Sequence, residues 1–508
     1  MNTRTLVIGV ALVVMVGGGV IPPHQARACS TFLLADGDAA STRIETIDGR
    51  SFSSNDLDRY VTSVMDGGGV TGLQLAVINR GRVVYSNAYG LKSRRSGLAP
   101  DPQTVFGALS FSKTVFAYLV MQLVDDGVLD LDKPLFEYLP NPLSEYPQWK
   151  DLAEDARYKQ ITARLALSHT TGLPNSRAFM PDGKLRFVYD PGARFHYSGE
   201  GINYVQFVVE TVTGERLDQL AEKRVFAPLG MTRSGFVWEK SFDENHAIGH
   251  TESQRTLGPL RWGTPSAAGS MVTTASDYAR LLVAILNAEG LSADGVGEML
   301  TSQIAVTSKR EFGPQETEDT DDNKKIDLGW GLGWGRFDTE QGRAFFHTGH
   351  TEGWENYTVT YLDRKAGIVL ISNSANFESV AQRIVEFAIG DHDSPFVWLG
   401  YEPFDRSSPP PDPEPERRTM PIDPAIFETV VGKYEVAPGD YIFLKTEDGR
   451  LLGSGDGTYW TDVFAVSENQ FFIDGRPYDF RFNRDSGGKV TGMTVLFKGM
   501  EIPARKIE

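Results

Sequence analysis

Between Phe106 and Gly127, apolar residues recur at intervals of three and four: Phe111, Val115, Phe116, Leu119, Val120, Leu123 and Val124. That spacing predicts a single helix, and Gly127 closes it as a helix C-terminal glycine. Ala117, Tyr118 and Met121 fill most of the opposite face. A helix that is apolar nearly all round is a buried one. Its polar residues crowd into the first turn: Ser110, Ser112, Lys113 and Thr114. The pattern thus sets a lysine beside a serine at the head of a core helix.

Around this helix the periodicity predicts other elements. Residues 30–55 are a polar lead, and Asp56–Met65 fits a short helix. Gly72–Ser86 reads as a β-hairpin turning at Asn79-Arg-Gly81. A short helix over Ile161–Leu167 ends in Ser168-His-Thr-Thr-Gly-Leu-Pro174. The glycine-rich loop Asp190–Gly201 carries Tyr197, and helices follow over Ile202–Thr213, Leu217–Phe226 and Ser276–Ala288. Residues 314–327 are a charged insertion without the ligand pattern of a calcium loop, so a solvated loop is expected.

From Leu328 the pattern changes to strands: Gly329–Gly335, Arg343–Thr348, Asn356–Leu362 and Gly367–Ser372, closed by a helix over Glu378–Ile389. Strands first, helices in the middle and strands last predict an α+β domain, with an antiparallel sheet flanked by helices. Its expected span is 42–392. A linker at 393–420 contains the stiff Pro409–Pro415 run. Residues 421–508 are short strands with turn signals at Asp448-Gly449, Asp474-Gly475 and Asp485–Gly488, which predict a small antiparallel barrel.

Composition narrows the function. The chain has 508 residues, 41% of them hydrophobic, and a net charge of -17. It is long enough for two or three domains. The negative charge argues against nucleic acid and against anionic membrane surfaces as partners. Arg4, the apolar run Leu6–Val16 and Ala26-Arg-Ala28 read as a secretory signal over 1–28. An uncleaved anchor is the alternative; otherwise an exported, periplasmic or extracellular protein with no membrane span is expected. Cys29 is the single cysteine, so no internal disulfide forms. It would be the first mature residue. It is read as incidental, ahead of a lipid-modified cysteine and of an N-terminal nucleophile. Cys29-Ser-Thr-Phe-Leu-Leu does resemble the start of N-terminal-nucleophile amide hydrolases, but nothing downstream continues that likeness.

The candidate chemistry starts at the core helix. Positions i and i+3 share a face, so Ser110 and Lys113 meet, whereas Ser112 points elsewhere. Burial and the helix N-terminus both disfavour an ammonium, and so push Lys113 toward neutrality. Backbone N–H groups at the same helix start suit an oxyanion. The ordinary alternative is a serine N-cap followed by a solvated lysine. Tyr197 in its glycine-rich loop is either a packing residue or a phenol facing a cleft. His347 and His350 are three apart on a strand, which splits them between faces. No third ligand cluster accompanies them, so neither a metal nor a cofactor is expected.

Together these residues resemble the serine β-lactamase and penicillin-binding-protein superfamily, most closely its class C-like branch with D-aminopeptidases, D-alanyl-D-alanine carboxypeptidases and esterases. The three motifs of that branch stand here as Ser110-Phe-Ser-Lys113, Tyr197-Ser-Gly199 and His347-Thr-Gly349, in the family's order. Flanking stretches match too: Val128–Pro134, Leu167–Pro174, Pro228–Met231 and Ala267–Met271. The resemblance spans residues 56–390, and 421–508 look like the lipocalin-like β domain of some relatives.

The family implies that Ser110 attacks a carbonyl and forms an acyl-enzyme. Lys113 and Tyr197 would share the proton work, with the lysine charge depressing the tyrosine pKa. The N–H groups of Ser110 and of His350, after Gly349, would hold the oxyanion, and His347 would line the opposite wall. Ser-Asp-Asn and G-x-S-x-G are absent. Two positions bear on the substrate, and one of them, Gly199, departs from the pattern. Gly199 replaces an asparagine that binds substrate amides, and His347 replaces a lysine that attracts a carboxylate. Both favour aminopeptidase or esterase activity on a small-molecule or short-peptide substrate. A β-lactamase and a non-turnover, penicillin-sensor-like binding protein are the alternatives. The sequence sets no oligomeric state.

Overall fold

Helix and strand boundaries follow local chemistry. In this computed structural model a ribbon of β1 (Arg43–Glu45) and β2 (Ser51–Ser53) leads into α1 (Ser54–Gly68). Ser53 caps α1 by accepting from the Asp56 N–H, while the Asp56 carboxylate accepts from the Ser53 N–H. The hairpin β3 (Gly72–Asn79) and β4 (Arg82–Gly90) turns at Arg80 and Gly81, with φ of 53° and 72°. Two positive φ angles match the twist of the flanking strands. β5 (Phe106–Leu109) then feeds α2 (Phe111–Asp125), in which every residue from Phe111 to Leu123 is buried.

The helical part comprises α3 (Ala163–Leu167), α4 (Gly199–Thr213), α5 (Leu217–Ala221) and α6 (Ala227–Leu229). β6 (Met271–Thr273) pairs with β5, and α7 (Ala275–Asn287) and α8 (Ala293–Leu300) follow. The chain then builds β7 (Ile304–Ala305), β8 (Gly329–Trp330), β9 (Gly335–Thr339), β10 (Gly342–Thr351), β11 (Trp354–Tyr361) and β12 (Ala366–Ser372), and ends this part with α9 (Glu378–Ile389).

The main sheet is antiparallel in the order β4-β3-β12-β11-β10-β9-β8-β7. Alternation along β3 and β12 sorts the two faces. Ala76, Ile78, Val369 and Ile371 pack with α2 and α7, while Leu75, Val77, Ile368 and Leu370 pack with α1 and α9. The expected Gly329–Gly335 strand is instead β8 and β9 around a turn. Gly331 N–H donates to the Trp334 carbonyl, and Gly333 has φ 81°. A Cβ at Gly333 would lie 2.3 Å from the Ala117 Cβ, so this turn is pressed onto α2.

The C-terminal part is a closed antiparallel barrel: β13 (Gly432–Ala437), β14 (Asp440–Glu447), β15 (Arg450–Ser454), β16 (Thr461–Ser467), β17 (Gln470–Ile473), β18 (Asp479–Arg484), β19 (Val490–Phe497) and β20 (Met500–Lys506). Its strands follow chain order, and β20 closes on β13. It has its own core, including Leu444, Val463, Phe471, Phe480, Phe482 and Met493.

The structure describes residues 41–180, 183–404, 419–437, 440–455, 457, 460–467, 469–473, 479–497 and 500–508. The expected signal segment with Cys29, the Pro409–Pro415 run and the Asp474-Gly475 turn lie outside the described residues. Among the described residues no helix is long and apolar enough to cross a membrane.

Candidate active site

β5 delivers Ser110 through a strained step. Leu109 has φ 53°, a left-handed conformation that a branched residue rarely adopts. Ser110 occupies the N-cap position of α2, yet its hydroxyl makes no cap bond. The Lys113 Nζ lies 2.9 Å from the Ser110 Oγ and donates to the Ala268 carbonyl at 2.5 Å. Lys113 is only 2% exposed. Burial pushes its pKa down to about 7, partly offset by Glu311. Ser112 is buried and accepts from the Met271 N–H at 2.9 Å, so its hydroxyl is structural.

The Ala268 carbonyl is itself held by α4. The Asn203 side-chain oxygen accepts from the Ala268 N–H and the Ser266 hydroxyl, and the Gln206 side-chain oxygen accepts from the Ala267 N–H. That helix begins at Gly199, not at Ile202 as expected, because Ser198 caps it. Its hydroxyl accepts from the Gly201 N–H and donates to the Pro174 carbonyl. Tyr197 is the last side chain before the cap.

The hydroxyl of Tyr197 is hydrogen-bonded to Ser110, and Lys113 Nζ stands 4.8 Å from the centre of its ring. The expected depression of the tyrosine pKa is overturned. Burial raises it well above 10, Glu311 adds to the rise, and only the Ser110 bond opposes. The lysine lies over the ring face and is itself near neutrality, so burial wins.

The third motif lies on β10. His347 is fully buried, its ring 6.2 Å from that of Tyr197. Its Nδ1 is 2.6 Å from the Thr348 carbonyl, so Nδ1 carries the proton and Nε2 is the acceptor. Nε2 is buried without a partner, and burial drives the ring pKa to about 3. His347 is therefore an uncharged group beneath the site. His350 points to the other side, as its odd spacing predicts. It is exposed and pairs with Glu355, its register partner on β11. This bond raises the His350 pKa.

Gly349 is fixed by close approach: a Cβ there would lie 2.7 Å from the Ala108 carbonyl oxygen of β5. The β9 ladder ends at Phe346, so the strand beyond it runs beside β5 instead. Gly199 is likewise demanded, since a Cβ would meet the Asn175 carbonyl oxygen at 2.7 Å.

Three residues that the motifs do not assign complete the site. The His169 ring lies 4.2 Å from that of Tyr197 and accepts from the Ser198 N–H at 3.1 Å through Nδ1. It lies in the Leu167–Pro174 stretch, whose likeness to the family was the signal available. Glu311 is 5% exposed, and Phe312, 46% exposed, packs edge-on against Tyr197 at 5.3 Å. Both precede the charged insertion, and no motif marks them. The insertion is largely exposed, as expected, but forms two 3₁₀ turns, Pro314–Thr317 and Asp322–Ile326.

An antiparallel sheet between helical layers, with a Ser-x-x-Lys heading the buried helix, is the architecture of β-lactamases and penicillin-binding proteins. The beta-lactamase family profile matches residues 57–388, and the chain belongs to that family. Its superfamily consists largely of serine hydrolases. Penicillin-binding protein 4* of Bacillus subtilis is 22% identical over 428 residues, covering 77% of this chain and 86% of its own. Penicillin-binding protein 4 of Amycolatopsis lactamdurans is 27% identical over 307 residues, covering 57% and 77%. Among solved structures, the octameric penicillin-binding protein homologue from Pyrococcus abyssi superposes with a TM-score of 0.54 at 18% identity, covering 89% of this chain and all of its own. D-alanine carboxypeptidase AmpC from Burkholderia cenocepacia gives 0.53 at 20%, covering 66% and 99%. These two likenesses are of fold.

Proposed function

We propose that the protein is a serine hydrolase that works through an acyl-enzyme on amide, peptide or ester substrates, of the D-amino-acid peptidase or esterase type. The observation that carries this reading is the 2.9 Å approach of a buried lysine, near neutral at pH 7, to a serine hydroxyl free of structural duty. As a neutral amine, Lys113 donates one N–H to the Ala268 carbonyl and turns its lone pair to the Ser110 hydroxyl. Ser110 Oγ attacks the carbonyl carbon as its proton passes to Lys113 Nζ. The oxyanion forms between the N–H groups of Ser110 and His350. Tyr197, held protonated by burial, relays a proton to the leaving group and is resupplied by Lys113. Water then attacks the ester by the reverse route, and Ser110 recovers its proton.

The uncharged His347 supports a substrate that brings no carboxylate to this wall. Gly199 supports the same choice, since its N–H is already taken by the Asn175 side chain. Fluorophosphonate labelling followed by mass spectrometry tests the nucleophile. The adduct is expected on Ser110 and none is expected after Ser110→Ala. An adduct on Ser112 would contradict the assignment, and a labelled protein that releases no ester product would be a binding protein, not a hydrolase.

A further inference from the structure

Glu311 is a buried carboxyl with nothing to hold it. Its Oε1 is buried with no hydrogen-bond partner, and its side chain makes no ion pair among the described residues. A buried polar group left unsatisfied costs free energy and calls for an explanation. The groups that act on it electrostatically are Lys113 on α2, His350 on β10 and Glu355 on β11, and it acts in turn on Tyr197 and Tyr401. Of the two basic groups among these, Lys113 is committed to Ser110 and Ala268, and His350 to Glu355. His347 and His169 are held neutral by burial. The carboxyl therefore lies within electrostatic reach of Lys113, the partner of Ser110, and among the described residues it has no hydrogen bond or ion pair of its own.

We propose that Glu311 is a specificity residue that receives a primary ammonium on the substrate, as carried by a free amino terminus next to the scissile carbonyl. The proposal rests on the serine-hydrolase reading and names its substrate class. Its chemistry is a matter of sign. Once ionised, the orphan carboxyl beside an uncharged His347 attracts a cation and repels a carboxylate. Burial, helped by Glu355 and opposed by Lys113 and His350, holds Glu311 protonated up to about 8, and an ammonium beside it draws it back to the ionised form. The ammonium thereby supplies the partner that the fold omits. Phe312, next in the chain and half exposed, packs edge-on against Tyr197.

Binding is measured in the Ser110→Ala chain, which cannot turn substrate over. Calorimetric titration compares D-phenylalanine amide with N-acetyl-D-phenylalanine amide, identical except for the charge. The free amine is expected to bind about 10- to 100-fold more tightly, the range of a hydrogen bond to a charged group. Glu311→Gln in the same background removes that preference, and Glu311→Leu serves as a second variant should the first melt early. Equal affinities, no binding of either amide, or a preference that survives both variants would overturn the proposal. Fluorophosphonate labelling of Ser110 in the unaltered chain judges the hydrolase reading separately.

Discussion

A lysine held near neutrality in a closed site makes its protonation visible in the rate. As the proposed base, Lys113 would act only when uncharged, so hydrolysis of a neutral ester such as p-nitrophenyl acetate should rise with pH along a limb centred near 7. Lys113→Ala is expected to lower the rate by about 10²–10⁴-fold. Glu311 and Glu355 titrate at about 8 and about 7, so the limb belongs to the coupled set, with Tyr197 and both buried histidines as uncharged neighbours. Glu311 raises the Lys113 pKa, so Glu311→Gln should move the limb to lower pH. A profile flat from pH 6 to 9 would refute the role. Stability follows the same sign. Between pH 7 and the ordinary lysine value of ~10.4 the unfolded chain binds more protons at this residue, so its contribution improves as pH rises and is worst below 7. The Ser110–Lys113 contact was legible in the sequence because one helical turn determines it. The Tyr197 pKa was not, because it depends on burial beneath residues 28 and 115 positions away, His169 and Phe312. Glu311 left no mark at all, since its role comes only from what surrounds it.

At the scale of elements, the site depends on two strands that nearly touch. Asn356 on β11 donates through its amide to the Gly107 and Ala108 carbonyls of β5 and accepts from the Ser372 N–H of β12. It ties the strand before the nucleophile to the main sheet. Gly349 occupies the gap that this leaves. Gly349→Ala would set a Cβ 2.7 Å from the Ala108 oxygen and 2.9 Å from the Asn356 amide nitrogen, so β10 must move away from β5. Overpacking of this kind costs about 1–3 kcal/mol. Calorimetry should show melting several degrees lower, and ester hydrolysis about 10²-fold slower, as the His350 N–H leaves its proposed oxyanion position. Unchanged melting would mean that the approach is not a constraint. Turns set by adjacent residues, such as Arg80-Gly81, were readable from sequence. The break between β8 and β9 was not, because it is the distant Ala117 that presses Gly333 into a turn.

At the scale of the whole molecule, the barrel meets the β-lactamase-like part of the chain along residues 92–98 and 243–259. The Arg95 guanidinium lies 4.6 Å from the centre of the Phe464 ring on β16, and Asp243, Pro259 and Asp462 line the same junction. The segment that meets the barrel continues to the active-site strands: His250 N–H donates to the Gly353 carbonyl at the β10–β11 turn, and a Cβ at Gly353 would meet Leu257 at 2.4 Å. We infer that the barrel narrows access to the cleft through this segment. Removing residues 409–508 should leave small esters reacting as well or better while the preference among larger substrates shifts. A soluble truncated protein with an unchanged substrate profile would refute gating. The barrel was legible as a unit because its strands are local in sequence. The main sheet is of the opposite kind, for Leu73 of β3 pairs with Ser372 of β12. During synthesis, α2 and Ser110 emerge long before β12, which joins β3 to β11. A nascent chain that stops short of Ala366 presents β3 and β11 as open edges, which invite pairing with other chains. The order of manufacture thus leaves those two edges without their shared partner until the last central strand is made.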